Sequence, residues 1–179
     1  MRNVDFVSNK VAELVKKYNT RDPFKLCEEL NIKIRYKDLG LSMKAFYFYQ
    51  SRIKNIVINN RVEPIVRNIL CAHELGHAVL HGELAAMKGF RELELFDSII
   101  PTEYEANLFA AELLINDTEL LELLNDSEKS FFSVAKELYV PTELLDFKFR
   151  ALKNKGYRIE SPIISKSNFL KNNIDGCFS

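Results

Sequence analysis

The chain opens on an amphipathic pattern. Val7, Val11, Leu14 and Val15 recur three or four residues apart among polar positions, which predicts a helix ending near Tyr18. Asp22-Pro23 reads as an N-cap followed by proline at the first helical position, so a second, short helix is expected as far as about Leu30. The period then changes. NIKIRY alternates apolar and polar residues, and MKAFYFYQ and NIVINN are rich in aromatic and β-branched residues, so all three are predicted strands. SRIK between the last two suggests a hairpin turn, without the Asn-Gly signal that would specify one.

Helical spacing returns at Pro64, which can open a helix with Ile65, Ile69, Ala72 and Gly76 in register and Gly82 as its C′ residue. Residues 83–100 read as loop with some helix. PTEYEANLFAAELLI and NDTELLELL are further helix candidates, and SFFSVAKEL and PTELLDFKFRAL form a helix pair across the turn YVP. From about Gly156 the periodicity fades into a polar tail.

A length of 179 residues suits one domain, or one domain with an appendage, and 47% hydrophobic residues exclude wholesale disorder. The formal net charge is zero, so the chain as a whole does not read as a nucleic-acid binder. The N-terminus lacks the apolar core of a signal peptide, and no run approaches a membrane span. Cys27, Cys71 and Cys177 are odd in number and far apart, which suits reduced thiols in a cytoplasm, with Cys71 packed in the core. The charge is unevenly placed. Residues 92–128 hold eleven Asp or Glu and no Lys or Arg, whereas residues 147–171 hold seven Lys or Arg and one Glu. Two solvated faces that attract each other account for this.

The chemistry is concentrated in CAHELGHAVLH, residues 71–81, which holds all three histidines of the chain. His73 and His77 are four apart, so a helix places both imidazoles on one face, about 6 Å apart along the axis. Such a pair can converge on one zinc ion. Glu74 sits about 100° round the helix from His73, off the ligand line but able to take a proton from a water on the metal. H-E-x-x-H on a helix therefore offers two ligands and a general base. His81 lies about 12 Å along the axis from His73, too far to share one tetrahedral ion with both, and reads as a supporting group or a cation at the helix C-terminus.

A catalytic zinc takes a third protein ligand. The acidic helix downstream offers Glu103 and Glu105, and Glu112 later. Thr102 and Glu105 match a capping box, which gives Glu105 a local role and favours Glu103 as the ligand. Asn107, four residues on from Glu103, shares its face and is a candidate for orienting a zinc-binding imidazole.

HELGHAVLH, followed 26 residues after His77 by EYEANLFAAELL, resembles the ImmA/IrrE family of zinc metallopeptidases. DPFKLCEELNIKIRY, NIVINN and VAKELYVPTELLDFKFRAL carry the resemblance over roughly residues 8–153. It implies a gluzincin-like, zincin-like α+β fold with a small sheet beside the active-site helix and a helical C-terminal part. It implies His73, His77 and Glu103 as zinc ligands, Glu74 as the base and Zn2+ as the cofactor. The expected division is a metallopeptidase domain over residues 1–125, a helix pair over 126–156 packed on it, and a basic polar tail over 157–179. The chain departs from the family's frequent Leu-Leu-Met-Pro ending, having Leu113, Leu114, Ile115 and Asn116. No histidine is left to stabilise an oxyanion, which leaves that role to a Tyr or Arg.

The function implied is that of a cytoplasmic zinc endopeptidase that cleaves a basic helix-turn-helix repressor, an anti-repressor in transcription regulation. Two alternatives stand beside it. One is a catalytically silent zinc-binding regulatory module. The other is a DNA-binding protein that uses the C-terminal helix pair.

Overall fold

The computed structural model describes residues 4–82 and 100–171. The expected loop over 83–100 and the thiol of Cys177 therefore fall outside the described residues, apart from Ile100. Helices α1 (Val4–Tyr18) and α2 (Pro23–Glu29) lead into strand β1 (Ile32–Lys37). The Asp22 carboxylate accepts from the Phe24 and Lys25 amides, and Pro23 occupies the first turn, so α2 starts where its sequence requires.

Strands β2 (Ala45–Gln50) and β3 (Ile53–Asn59) form an antiparallel hairpin, and β1 pairs parallel to β3, giving the order β1-β3-β2. Ser51 and Arg52 both lie in the left-handed region, at φ 52° and 65°. That matches the right-handed strand twist of a two-residue hairpin, reached here without glycine. β3 is central and the most buried strand, while β2 and β1 are the edges.

Helix α3 (Pro64–Leu80) carries the histidine stretch and is buried along most of its length, with the sheet on one side and α4 (Ile100–Leu114) on another. Gly76 permits the second contact, because a Cβ there would stand 3.1 Å from the Ala106 Cα. Gly82 is not in the left-handed conformation expected of a C′ residue. It sits instead against the Lys54 ammonium, which caps the helix by donating to the Ala78 carbonyl at 3.2 Å.

Beyond α4 come α5 (Asp117–Leu124), α6 (Phe131–Glu137) and α7 (Thr142–Asn154). Asn116, which replaces the proline of the family's ending, caps α5 by accepting from the Thr118 amide at 2.8 Å. One apolar core runs from Val11 of α1 through Ile69 of α3 and Phe109 of α4 to Leu145 and Phe147 of α7. Cys27 and Cys71 meet inside it as free thiols, Sγ to Sγ 3.9 Å, and the contact with Cys27, with burial added, pushes the Cys71 thiol up.

The acidic and basic stretches do attract each other. Lys148, fully buried on α7, reaches Glu112 at 2.8 Å and also Asp117, and Lys155 joins the same two carboxylates at 2.8 Å each. A lysine consumed in this way offers nothing to DNA, and most of α7 is buried with it. The described part of the tail is not detached. Residues 161–170 run along α4 and α7, and Phe169 and Leu170 are buried.

Candidate metal centre

The i, i+4 spacing on α3 brings the Nε2 atoms of His73 and His77 to 3.1 Å. Helix α4 brings Glu103 to them. Its Oε2 is 3.4 Å from His73 Nε2 and its Oε1 3.3 Å from His77 Nε2. Among the described residues this is the one group of three or more His, Cys, Asp or Glu side chains that converge closely enough to hold a metal ion. The side chains of His73, Glu103 and His77 are 6%, 15% and 17% exposed, so the cluster is largely shielded from solvent without being sealed.

The dimensions fit an ion. Tetrahedral coordination with bonds of about 2.0–2.1 Å places neighbouring ligand atoms about 3.3–3.4 Å apart. The histidine edge, 3.1 Å, and the two contacts of the Glu103 carboxylate, 3.3 and 3.4 Å from its separate oxygens, are of about that size. The donor set, two imidazoles and one carboxylate, is that of the His₂Glu catalytic zinc sites, which keep a fourth position for water.

Electrostatics agree. Burial pushes the Glu103 carboxyl up, but the hydrogen bonds and charges of His73 and His77 outweigh it and hold the group well below the usual carboxylate range. The carboxylate is thus kept anionic in a place water reaches poorly. The far side of one ring is less well defined. His73 Nδ1 is buried without a hydrogen-bond partner, so no acceptor fixes its tautomer.

The other predicted residues fall as follows. Glu74 is 7% exposed and lies next to His73 on α3. Asn107 shares the Glu103 face of α4, but its amide nitrogen donates to the Ser167 carbonyl at 2.6 Å, which turns that donor toward the tail. Glu105 does not cap α4. The helix already runs through Ile100 and Pro101, so Thr102 lies inside it and the capping box does not form. Glu105 is buried, and its Oε2 meets His81 Nε2 at 3.0 Å. This pair ties the end of α3 to α4, and the reading of His81 as a supporting group agrees with it. Glu112 belongs to the lysine network.

The α+β architecture, with three strands beside the histidine helix, is the zincin-like fold expected. Residues 27–150 match the family model Peptidase M78, the IrrE N-terminal-like domain, and the chain belongs to that family. It is 39% identical over 138 residues to a protein of Bacillus phage phi105 named uncharacterized immunity region protein 2, covering 77% of this chain and 85% of that one. It is 27% identical over 161 residues to the metallopeptidase ImmA of Bacillus subtilis strain 168, covering 89% and 93% of the two chains. Membership of a peptidase family and the donor cluster together point to a metal-dependent protease with a protein substrate. No helix among the described residues is long and apolar enough to cross a membrane.

Proposed function

We propose that the protein is a cytoplasmic zinc endopeptidase in which His73, His77 and Glu103 hold the ion and Glu74 is the general base. The observation that carries this reading is the His73–His77–Glu103 cluster, in which one ligand atom from each residue lies within 4.8 Å of the others. Zinc bound there supplies a Lewis acid that polarises the scissile carbonyl and acidifies a water. The chain supplies the proton traffic. Glu74 accepts the proton of the attacking water and returns it to the departing amine, which cannot leave as an anion.

We further propose that the substrate is a basic helix-turn-helix repressor, cut in an extended linker. The names of the phage and Bacillus relatives, an immunity region protein and a metallopeptidase, support this setting. Among the described residues β2 is an edge of the sheet that flanks α3, and an extended peptide can add to such an edge. The exposed Glu119 and Glu122 of α5 favour a basic partner, whereas the acids of α4 are already engaged by His73, His77, His81 and the lysine network.

The test is elemental analysis followed by digestion. One zinc per chain is expected, lost on mild acidification because imidazole must be neutral to ligate. The zinc-loaded protein is then expected to cut the repressor encoded beside its gene, more slowly as salt rises. A chain without a stoichiometric divalent ion overturns the metal assignment. A loaded chain that cuts nothing returns the reading to a silent zinc module.

A further inference from the structure

The tail segment 161–170 is held in a manner that ordinary core packing does not require. From 161 to 167 its odd-numbered residues are half-buried and the even-numbered ones between them exposed, the period of an extended peptide. It belongs to no sheet. Side chains of α4 and α7 grip its backbone instead. The Asp146 carboxylate accepts from the Ser165 amide at 3.0 Å, and the Arg150 guanidinium donates to the Ser165 carbonyl at 2.9 Å. Asp146 and Arg150 are themselves paired at 2.5 Å. Two residues on, Asn107 donates to the Ser167 carbonyl. Three side chains thus do what a neighbouring strand does, and such contacts are indifferent to the side chains of the peptide they hold.

Selectivity comes from the rest of the groove. The inward positions 165 and 167 are serines. Phe169 then stacks on Phe147 at 5.9 Å between ring centroids, and Arg150 lies over the same Phe147 ring at 4.6 Å. The match is also incomplete. Asn107 Oδ1 and Ser165 Oγ are both buried without a hydrogen-bond partner. The orientation of the Asn107 amide is not in question, because a carbonyl can only accept and the group facing Ser167 must be the nitrogen. Asn107 is fully buried, so its oxygen is an acceptor that the segment leaves unused.

We propose that the groove between α4 and α7 is a binding site for an extended peptide, filled at rest by residues 161–170 of the same chain. A peptide of another protein with small residues at two alternate positions, then an aromatic and an aliphatic residue, competes for it. Asn107 is one helical turn from Glu103, so the groove runs beside the metal centre, and a peptide that displaces the segment is held next to the proposed protease site. The inference rests on the α4–α7 contacts and holds whether or not the centre hydrolyses anything.

The test uses the full chain. Ser165→Pro removes the amide that Asp146 accepts and frees the groove. A fluorescent peptide of residues 161–170 is expected to bind this variant about tenfold or more tightly than the wild type, whose groove is filled. Adding Asp146→Ala and Arg150→Ala to the variant is expected to remove the gain. The binding is expected to be unchanged by a zinc chelator, so its failure is distinct from failure of the protease reading. Equal binding by wild type and Ser165→Pro, or binding that survives loss of Asp146 and Arg150, overturns the proposal. Amide exchange on the wild type needs no variant. The Ser165 amide is expected to exchange about tenfold or more faster than the amides of α7, by local release. Exchange at the α7 rate makes the segment a fixed part of the core and also overturns the proposal.

Discussion

Gly76 on α3 faces Ala106 on α4 so closely that a Cβ at position 76 would lie 3.1 Å from the Ala106 Cα and 3.2 Å from its carbonyl oxygen. The absent side chain lets the helix bearing the two histidines come within reach of the helix bearing Glu103. Alanine is the better helix former by about 1 kcal/mol, but overpacking costs about 1–3 kcal/mol, and here the obstacle is backbone that cannot rotate away. Gly76→Ala is expected to lower stability by about 1 kcal/mol in chemical denaturation and to weaken zinc binding about tenfold in chelator competition. Unchanged zinc affinity would separate the helix spacing from the metal centre.

Glu74 and Glu103 separate proton transfer from metal retention. Glu74→Gln keeps the shape and the ligands and removes the proton acceptor. It is expected to retain about one zinc per chain while peptide cleavage falls about 10²–10⁴-fold. Glu103→Ala is expected to lose zinc to a chelator that the wild type resists. Metal content and initial rates measured on the same preparations check both.

Glu105→Ala is expected to cost about 1–3 kcal/mol, because it removes the buried partner of His81. A helix cap in its place would have cost about 1 kcal/mol or less. Zinc stoichiometry is expected to stay at one, since Glu105 faces His81 and not the metal cluster. A variant that sheds its metal while Glu103→Ala keeps it would reverse the ligand assignment.

The lysine network sets a pH window. Burial pushes Asp117 up, but the Lys148 and Lys155 ammonium groups outweigh it and hold the carboxyl below its ordinary value. Its contribution is complete above the usual carboxylate range and is lost as pH falls through the depressed value. Lys155 runs the other way. Burial lowers it, Asp117 and Glu112 more than compensate, and the raised group contributes in full below the usual lysine range and less as pH climbs through the raised value. Asp117→Asn is expected to flatten both limbs of the stability–pH curve, by about 1 kcal/mol or less at neutrality because the pair is partly solvated. Denaturation midpoints across the pH range check it.

Most of this was legible where side chains announce their surroundings. The aromatic and β-branched runs became strands, Asp22-Pro23 started a helix, and His73, Glu74 and His77 stood out by spacing and chemistry, whereas Glu103 was favoured through a capping box at Glu105 that does not form and through the family resemblance. Two features did not. Thr102 and Glu105 carry a capping signature, yet Pro101 is the better marker of the first turn, and with it the helix starts ahead of Thr102 and frees Glu105 for His81. The tail gave no hydrophobic alternation because three of its four inward positions from 161 to 167 are serines, Ile164 points out, and its contacts are made by backbone atoms. The hairpin at Ser51-Arg52 was expected from SRIK, and it forms without its usual residues because its left-handed pair is held by strand pairing on both sides.

The distance of Ser167 from Asn107, 60 positions along the chain, has a consequence for synthesis. A ribosome delivers His73 and His77 first, then Glu103, and only much later the segment that lies along α4. A nascent chain therefore has every donor of its metal cluster before it has the peptide that fills the neighbouring groove. The groove itself also needs Asp146 and Arg150 of α7, so it is open to another extended chain only in the short interval between the synthesis of α7 and that of residues 161–170, when a partner meets less competition than it does later.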